Sequence, residues 1–218
     1  FVYVYGQSSG AYQTDGPNYI NPNSGQFIHK ISNDLGTTEW SSVFGAGSGV
    51  AEISPTAFLV SDCYEIYIAG WGGETNFAVG STTSGFPTTP DAYQNVTSGN
   101  NFYLAVFTAD MAGLKYATFM GDPSSDGDHV DGGTSRFDKS GTIYHAVCAA
   151  CYSSGGVFPT TPGVFSPEKG PTNCNMAVFQ FELAKIEAVL STGAPVICIP
   201  VPVIFENSSL YGDEYLWI

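Results

Sequence analysis

The chain restates one ordered set of short runs three times. One unit reads Ile66-Tyr-Ile-Ala-Gly-Trp71, Gly85-Phe-Pro-Thr-Thr-Pro90, Phe102-Tyr-Leu-Ala-Val-Phe107 and Lys115-Tyr-Ala-Thr-Phe-Met-Gly121. The next reads Ile143-Tyr-His-Ala-Val-Cys148, Val157-Phe-Pro-Thr-Thr-Pro162 and Cys174-Asn-Met-Ala-Val-Phe179. An earlier copy is Val2-Tyr-Val-Tyr5, Gln26-Phe-Ile-His-Lys-Ile31 and Glu39-Trp-Ser-Ser-Val-Phe-Gly45. A repeated unit of this size cannot bury its apolar face alone and must stack on its neighbours. The expectation is a stacked or radial β architecture rather than a single-pocket enzyme.

The runs are rich in aromatic and β-branched residues and are bounded by Gly, Pro, Asn and Asp, which marks them as strands. The best-defined unit predicts four: Thr56–Val60, Glu65–Trp71, Phe102–Thr108 and Tyr116–Met120. Asn33-Asp-Leu-Gly36, Asp110-Met-Ala-Gly113 and Asp138-Lys-Ser-Gly141 read as tight turns between strands. The Phe-Pro-Thr-Thr-Pro segments cannot be central strands, because each Pro removes a ladder donor. They read as rigid loops whose Phe86 and Phe158 plug a core.

Charge narrows the partners. Six Lys and Arg against 20 Asp and Glu give a net charge of −14. Such a chain repels nucleic acid and anionic membrane surfaces. No run approaches the ~20 apolar residues of a membrane-spanning helix, so neither nucleic-acid binding nor membrane insertion is expected. Five cysteines (Cys63, Cys148, Cys151, Cys174, Cys198) and two Asn-x-Thr/Ser sequons at Asn95 and Asn207 lean toward an extracytoplasmic setting.

The loops Phe86-Pro-Thr-Thr-Pro-Asp-Ala-Tyr93 and Phe158-Pro-Thr-Thr-Pro-Gly-Val-Phe165 follow Ile-Tyr-Ile-Ala-Gly-type strands. They precede an Ala-Val-Phe-like strand and, in the best-defined copy, Tyr116-Ala-Thr-Phe-Met-Gly121. In this order they resemble the SBBP-type β-propeller repeat over roughly residues 1–188; the first copy lacks the Phe-Pro-Thr-Thr-Pro core. Pro202-Val-Ile-Phe-Glu-Asn-Ser-Ser209 and Tyr215-Leu-Trp217 resemble the opening of a PKD domain, an immunoglobulin-like sandwich, although Ile218 stands where that family has Asp. The resemblance implies an all-β chain: a propeller segment at 1–190 with blades about 1–47, 50–122 and 128–188, a linker at 191–201, and a PKD-like start at 202–218. The combination is similar to large Bacteroidota surface proteins exported by type IX secretion, including gliding-motility-associated ones.

Several clusters carry candidate chemistry. His145-Ala-Val-Cys148-Ala-Ala-Cys151 with Cys174 downstream offers the ligand types of a zinc site. On a flat strand, however, His145 and Cys148 face opposite ways. A disulfide from Cys148 or Cys151 to Cys174 needs no such convergence, and free thiols stay open as a third reading. Asp126, Asp128 and Asp131 lie among turn-forming glycines. Hard oxygen ligands on a loop suit calcium, but the closing Glu of an EF-hand is missing; a solvated acidic turn is the simpler reading. Trp71, Tyr93 and Tyr152 lie near loop ends and are candidates for stacking on glycans, though aromatics in such a fold mostly pack between blades. His29 sits where other copies have Ala105 and Ala177. No phosphate-binding glycine loop is present.

The expected function is therefore non-enzymatic, with no obligatory cofactor. A secreted cell-surface or matrix protein would act in adhesion, gliding or surface assembly, outside the cell or on the outer-membrane surface. Its partners would be further blades, surface proteins or glycans. The alternatives are a subunit of an outer-membrane secretion complex or extracellular filament, and the scaffold of a secreted glycan-active enzyme.

Overall fold

In the computed structural model, residues 1–16, 18–73, 82–123, 127–130, 135–151, 157–170, 174–183, 190–192 and 205–207 are described. The chain is all-β and divides into two compact units, Phe1–Leu183 and Ala184–Ile218.

The larger unit holds three antiparallel sheets, none closed into a barrel. The first contains β1 (Val2–Gln7), β2 (Gln26–Ile31) and β3 (Thr38–Phe44), in that order. The second is a four-stranded meander of β4 (Ser54–Val60), β5 (Ile66–Trp71), β6 (Phe102–Phe107) and β7 (Leu114–Met120). The third contains β8 (Ser135–Phe137), β9 (Thr142–Ala149) and β10 (Asn175–Glu182). In the smaller unit β11 (Leu190–Thr192) pairs antiparallel with β12 (Phe205–Asn207). Most residues expected to form the linker and the PKD-like start lie outside the described residues.

Register fixes which residues correspond. Gln7 pairs with Gln26 as Trp71 pairs with Phe102, and Gln26 pairs with Phe44 as Phe102 pairs with Met120. In the third sheet Phe181 pairs with Ile143 as Phe107 pairs with Ile66. The counterpart of Phe107 is therefore Phe181, and not the Phe179 that matching Ala-Val-Phe by sequence selects. Ala105 corresponds to His29 and Phe179, which replaces the expected Ala177. The shift is two residues, so every side chain keeps its face.

Alternation then sorts each sheet into a forward face, toward the next sheet in chain order, and a rear face. The first apolar cluster joins Tyr3, Tyr5, Ile28 and Phe44 of the first sheet to Ile66, Ile68, Tyr103, Ala105 and Phe107 on the rear of the second. The second cluster joins Tyr67, Ala69, Phe102, Leu104 and Val106 on the front of the second to Ile143, Val147, Ala177 and Phe179. The middle strands are buried on both faces, which is why they read as continuous apolar runs instead of alternating ones.

The long loops do two jobs. Phe86 is buried against Tyr103 (4.7 Å between ring centroids) and Phe158 against Phe179 (5.9 Å), as expected for plugs. In the first copy Tyr12 takes that role, stacked on Phe27 at 3.9 Å. The same loops bond to the outermost strands, through Asp15 with Ser41, Asn21 N–H to Val43 O, Thr89 N–H to Ala117 O, and Phe119 N–H to Gln94 O. They cover edges that would otherwise be open to pairing. Turn chemistry differs from expectation in two places. In Asn33–Gly36 it is Leu35 (φ 61°), and in Asp110–Gly113 it is Asp110 and Met111 (φ 50° and 59°), that take positive φ in place of the glycine. Met111 takes it while fully buried in the first cluster.

Candidate functional site

The buried polar groups gather at the two junctions between sheets, at equivalent positions. β3 and β7 each end at a glycine with positive φ, Gly45 (146°) and Gly121 (144°). Seven residues later comes an acid, Glu52 or Asp128. Each acid is fully buried and folds back over its glycine. A Cβ on Gly45 would sit 2.5 Å from Glu52 Oε2, and one on Gly121 would sit 2.0 Å from Asp128 Oδ2. Only glycine leaves room for either carboxylate.

The donors differ. At the first junction Gln26, with its amide turned to suit, donates to Glu52 Oε2 at 2.8 Å. It accepts from the N–H groups of Glu52 (2.7 Å) and Ile53 (3.2 Å). Ser48 N–H donates to Glu52 Oε1 at 3.1 Å. At the second junction Asp128 Oδ2 accepts from Asn101 Nδ2 and Asp122 N–H, both at 3.0 Å, and Oδ1 accepts from Ala150 N–H at 2.8 Å. Gln26 corresponds in register to Phe102, so the two amides come from neighbouring positions. Burial pushes the Asp128 carboxyl up to about 6, against the pull of its N–H donors.

Asp128 is the central member of the candidate calcium set Asp126, Asp128 and Asp131. Its oxygens instead bind this clasp together, and Asp126 and Asp131 lie outside the described residues. Sequence reasoning passed over Glu52, Gln26 and Asn101. The signal that could have found the clasps is the glycine followed seven residues later by an acid, at the same point of two copies.

Among the described residues the cysteines form one disulfide, Cys151–Cys174, and Cys198 lies outside them. Cys148 stays outside the bond, half-buried on β9, and Cys63 is an exposed thiol. The zinc set built on His145 does not form. His145 is fully buried on the rear face, 5.2 Å from the Phe102 ring and 4.8 Å from Phe179 by centroids. Neither ring nitrogen finds a partner, and desolvation pushes the imidazole down to about 3. The histidine beside the sulfurs is His129, whose Nδ1 lies 3.6 Å from Cys151 Sγ. His129 is bridged to Cys148 by a pair of backbone hydrogen bonds. Oxidation to the disulfide leaves these sulfurs unable to act as thiolate ligands.

Of the stacking candidates, Trp71 is half-buried with its ring 5.6 Å from His129, in the seam between the second and third sheets. Tyr93 is exposed and meets Phe181 edge-on at 5.6 Å. Tyr152 lies outside the described residues. The structure does not bring Trp71 and Tyr93 together. A cleft of about 700 Å³ opens between the Phe158 loop and the start of β10, lined by Ala149, Val157, Phe158, Lys169 and Met176 among others. Lys169 Nζ is hydrogen-bonded to Ala150 O at its rim. Among the described residues no helix is long and apolar enough to cross a membrane. No family model, no curated protein and no solved structure matches this chain.

Proposed function

We propose that the chain is a non-catalytic structural segment of an exported surface or matrix protein, its three sheets serving as blades of a propeller-type repeat. The observation that carries this reading is where the reactive side chains go. Glu52 and Asp128 are spent holding sheets together, His145 is sealed between aromatic rings, and Cys151 and Cys174 are joined. A residue held this way is poorly placed to bind and turn over a substrate, whereas a rigid scaffold gains from each of these ties. The middle meander, with its long plug loop after the second strand, agrees with a blade, and the disulfide agrees with an oxidising compartment outside the cytoplasm. The −14 net charge suits a display surface that stays soluble and avoids anionic membranes.

The test is surface accessibility in cells of the native source. Intact cells treated with protease and with a membrane-impermeant amine label should lose and label this protein, and it should carry the Cys151–Cys174 bond when trapped with acid and alkylated. A protein protected from both reagents, with all its cysteines alkylated, would be cytoplasmic and would end this reading.

A further inference from the structure

We propose that the reduced form of this chain binds a zinc ion through His129 Nδ1, Cys151 Sγ and Cys174 Sγ, with a water completing the tetrahedron. The same two sulfurs then tie the loop after β9 to the start of β10 in either state, covalently when oxidised and through the metal when reduced. This inference stands on the geometry of one side-chain cluster and not on the surface role proposed above.

Two of the three ligands are held in place without help from the disulfide. His129 is locked to β9 by backbone hydrogen bonds in both directions with Cys148, at 3.0 and 2.9 Å. Ala150 takes a positive φ of 48°, which bends the chain as it leaves β9, and Cys151 N–H then donates to Gly127 O at 3.2 Å. Asp128 fastens the two segments to each other, since its Oδ1 accepts from Ala150 N–H at 2.8 Å. The residue before one ligand is therefore bonded to the residue before the other. Cys151 is fully buried at the end of this frame, with His129 Nδ1 3.6 Å from its sulfur. The ligand atoms of His129, Cys151 and Cys174 all lie within 4.8 Å of one another.

That spacing is the one a tetrahedral ion needs. With zinc about 2.3 Å from sulfur and about 2.05 Å from nitrogen, a nitrogen and a sulfur at the tetrahedral angle stand about 3.5 Å apart, and two sulfurs about 3.8 Å. The edge from His129 to Cys151 already has this length. Only the two sulfurs must part, and reduction frees them to do so. A thiol reductant supplies two electrons and two protons: the Cys151–Cys174 bond breaks, two cysteine thiols form, and two reductant thiols become a disulfide. Zinc then displaces both cysteine protons, so that two thiolates and a neutral imidazole leave the site without net charge. With Nδ1 on the metal, the imidazole proton stays on Nε2. Thiolate and imidazole ligands favour zinc over the hard ions calcium and magnesium.

The experiment is titration of the full 218-residue chain with zinc and with cobalt(II), oxidised and reduced, in the absence of oxygen. A phosphine serves as reductant, taking up a water oxygen as it delivers the same two electrons, because a dithiol would compete for the ion. The reduced chain should bind one ion per molecule and release two protons, and cobalt should give a thiolate charge-transfer band; the oxidised chain should do neither. Zinc should raise the denaturant midpoint of the reduced chain and leave that of the oxidised chain unmoved. Cys151→Ser, Cys174→Ser and His129→Gln should each weaken binding at least about tenfold, a loss that even outer-shell partners can cause. Cys63→Ser and Cys148→Ser should keep it. If reduction alone unfolds the chain, zinc should restore the circular dichroism of the oxidised form. No binding by the reduced chain overturns the proposal, as does equal binding by the oxidised chain or a reduced chain that zinc neither stabilises nor refolds. So does His129→Gln binding as tightly as wild type, which would place the ion on cysteines alone, or a loss in Cys148→Ser as large as that in Cys151→Ser.

Discussion

The two junctions between sheets are built to one plan and filled with different chemistry. In both, a strand ends at a positive-φ glycine, a buried acid returns over it, and an amide side chain clasps the acid. Around that common device the first junction is ionic: Lys30 reaches Asp110 at 2.7 Å, and the Tyr3 hydroxyl donates to the same carboxylate at 3.3 Å. The second puts Val106 where the first has Lys30 and buries His145 where the second sheet has Ile68 on its own rear face. The covalent Cys151–Cys174 tie also lies on this side. Backbone course is thus shared, while the side chains around it are exchangeable so long as every buried polar group is satisfied. His145 in the second junction and the Tyr5 hydroxyl in the first, buried without a hydrogen-bond partner, are exceptions to that rule.

The largest effect should come from testing the common device. Gly121→Ala forces a Cβ to within 2.0 Å of Asp128 Oδ2 and 2.6 Å of Asn101 Nδ2, at a φ of 144°. It should cost about 4 kcal/mol in chemical denaturation. Gly45→Ala meets the more flexible Glu52 at 2.5 Å and should cost less, about 2–3 kcal/mol. Negligible losses at both positions would mean the acids can swing away and hold nothing.

Removing the covalent tie comes next. Cys174→Ser opens a bond between residues 23 apart in sequence, and loss of a loop closure of that size should cost about 3 kcal/mol. Reducing agent should lower the stability of the wild-type chain by a similar amount and leave Cys174→Ser unchanged. A variant that unfolds at the wild-type denaturant midpoint would show that the bond ties nothing together.

Acid titration distinguishes the junctions more finely. The Asp128 carboxyl rises from 3.8 to about 6 on folding. In that interval the folded state holds a proton that the unfolded state has released. Stability from this group therefore falls as pH rises from about 4 to 6, by about 3 kcal/mol, and is flat above. His145 has the opposite sign. Its pKa falls from 6.5 to about 3, so its contribution is complete above 6.5 and is lost as pH falls, by roughly 3 kcal/mol at pH 4. The two slopes oppose each other across the same interval. Asp128→Asn should expose a stability that climbs from pH 4 to 6 relative to wild type, and His145→Ile should expose one that declines. Parallel curves for all three proteins would show that neither group titrates on folding.

How much of this the sequence announced depends on the range of the interaction. Strand runs such as Phe102–Phe107 were legible because their composition is a local property, and Phe86 and Phe158 were legible as plugs because flanking prolines keep them out of the sheet. The parity that set His145 against Cys148 on β9 held for the same reason. The pairing of Cys174 with Cys151 in place of Cys148 was not legible, since it depends on how the loop after β9 returns. The two-residue offset of β10 was hidden because matching letters are not matching hydrogen bonds: Val178, aligned by eye with Val106, lies in register with Leu104. The clasps were hidden because the acids read as ordinary surface residues until Gly45 and Gly121 are seen to make room for them.

The smallest effect tests whether the ionic filling of the first junction is needed at all. Lys30 occupies the position that Val106 fills with carbon in the second sheet, and its side chain is largely buried while Asp110 is about half exposed. A pair so unevenly buried should be worth about 1 kcal/mol or less. Lys30→Met keeps an apolar stem, gives up the ammonium that lies over the Phe1 and Tyr3 rings at 4.6 and 5.4 Å, and leaves Asp110 free to turn toward solvent. Stability should therefore change by less than about 1 kcal/mol. Asp110→Ala should cost more, about 1–2 kcal/mol, because it leaves the ammonium buried without its carboxylate. The double variant should fall back to the level of Lys30→Met. If Lys30→Met proves as costly as Gly121→Ala, the ion pair is part of the common plan, and the second junction manages without it only through the contacts that Val106 and the disulfide supply.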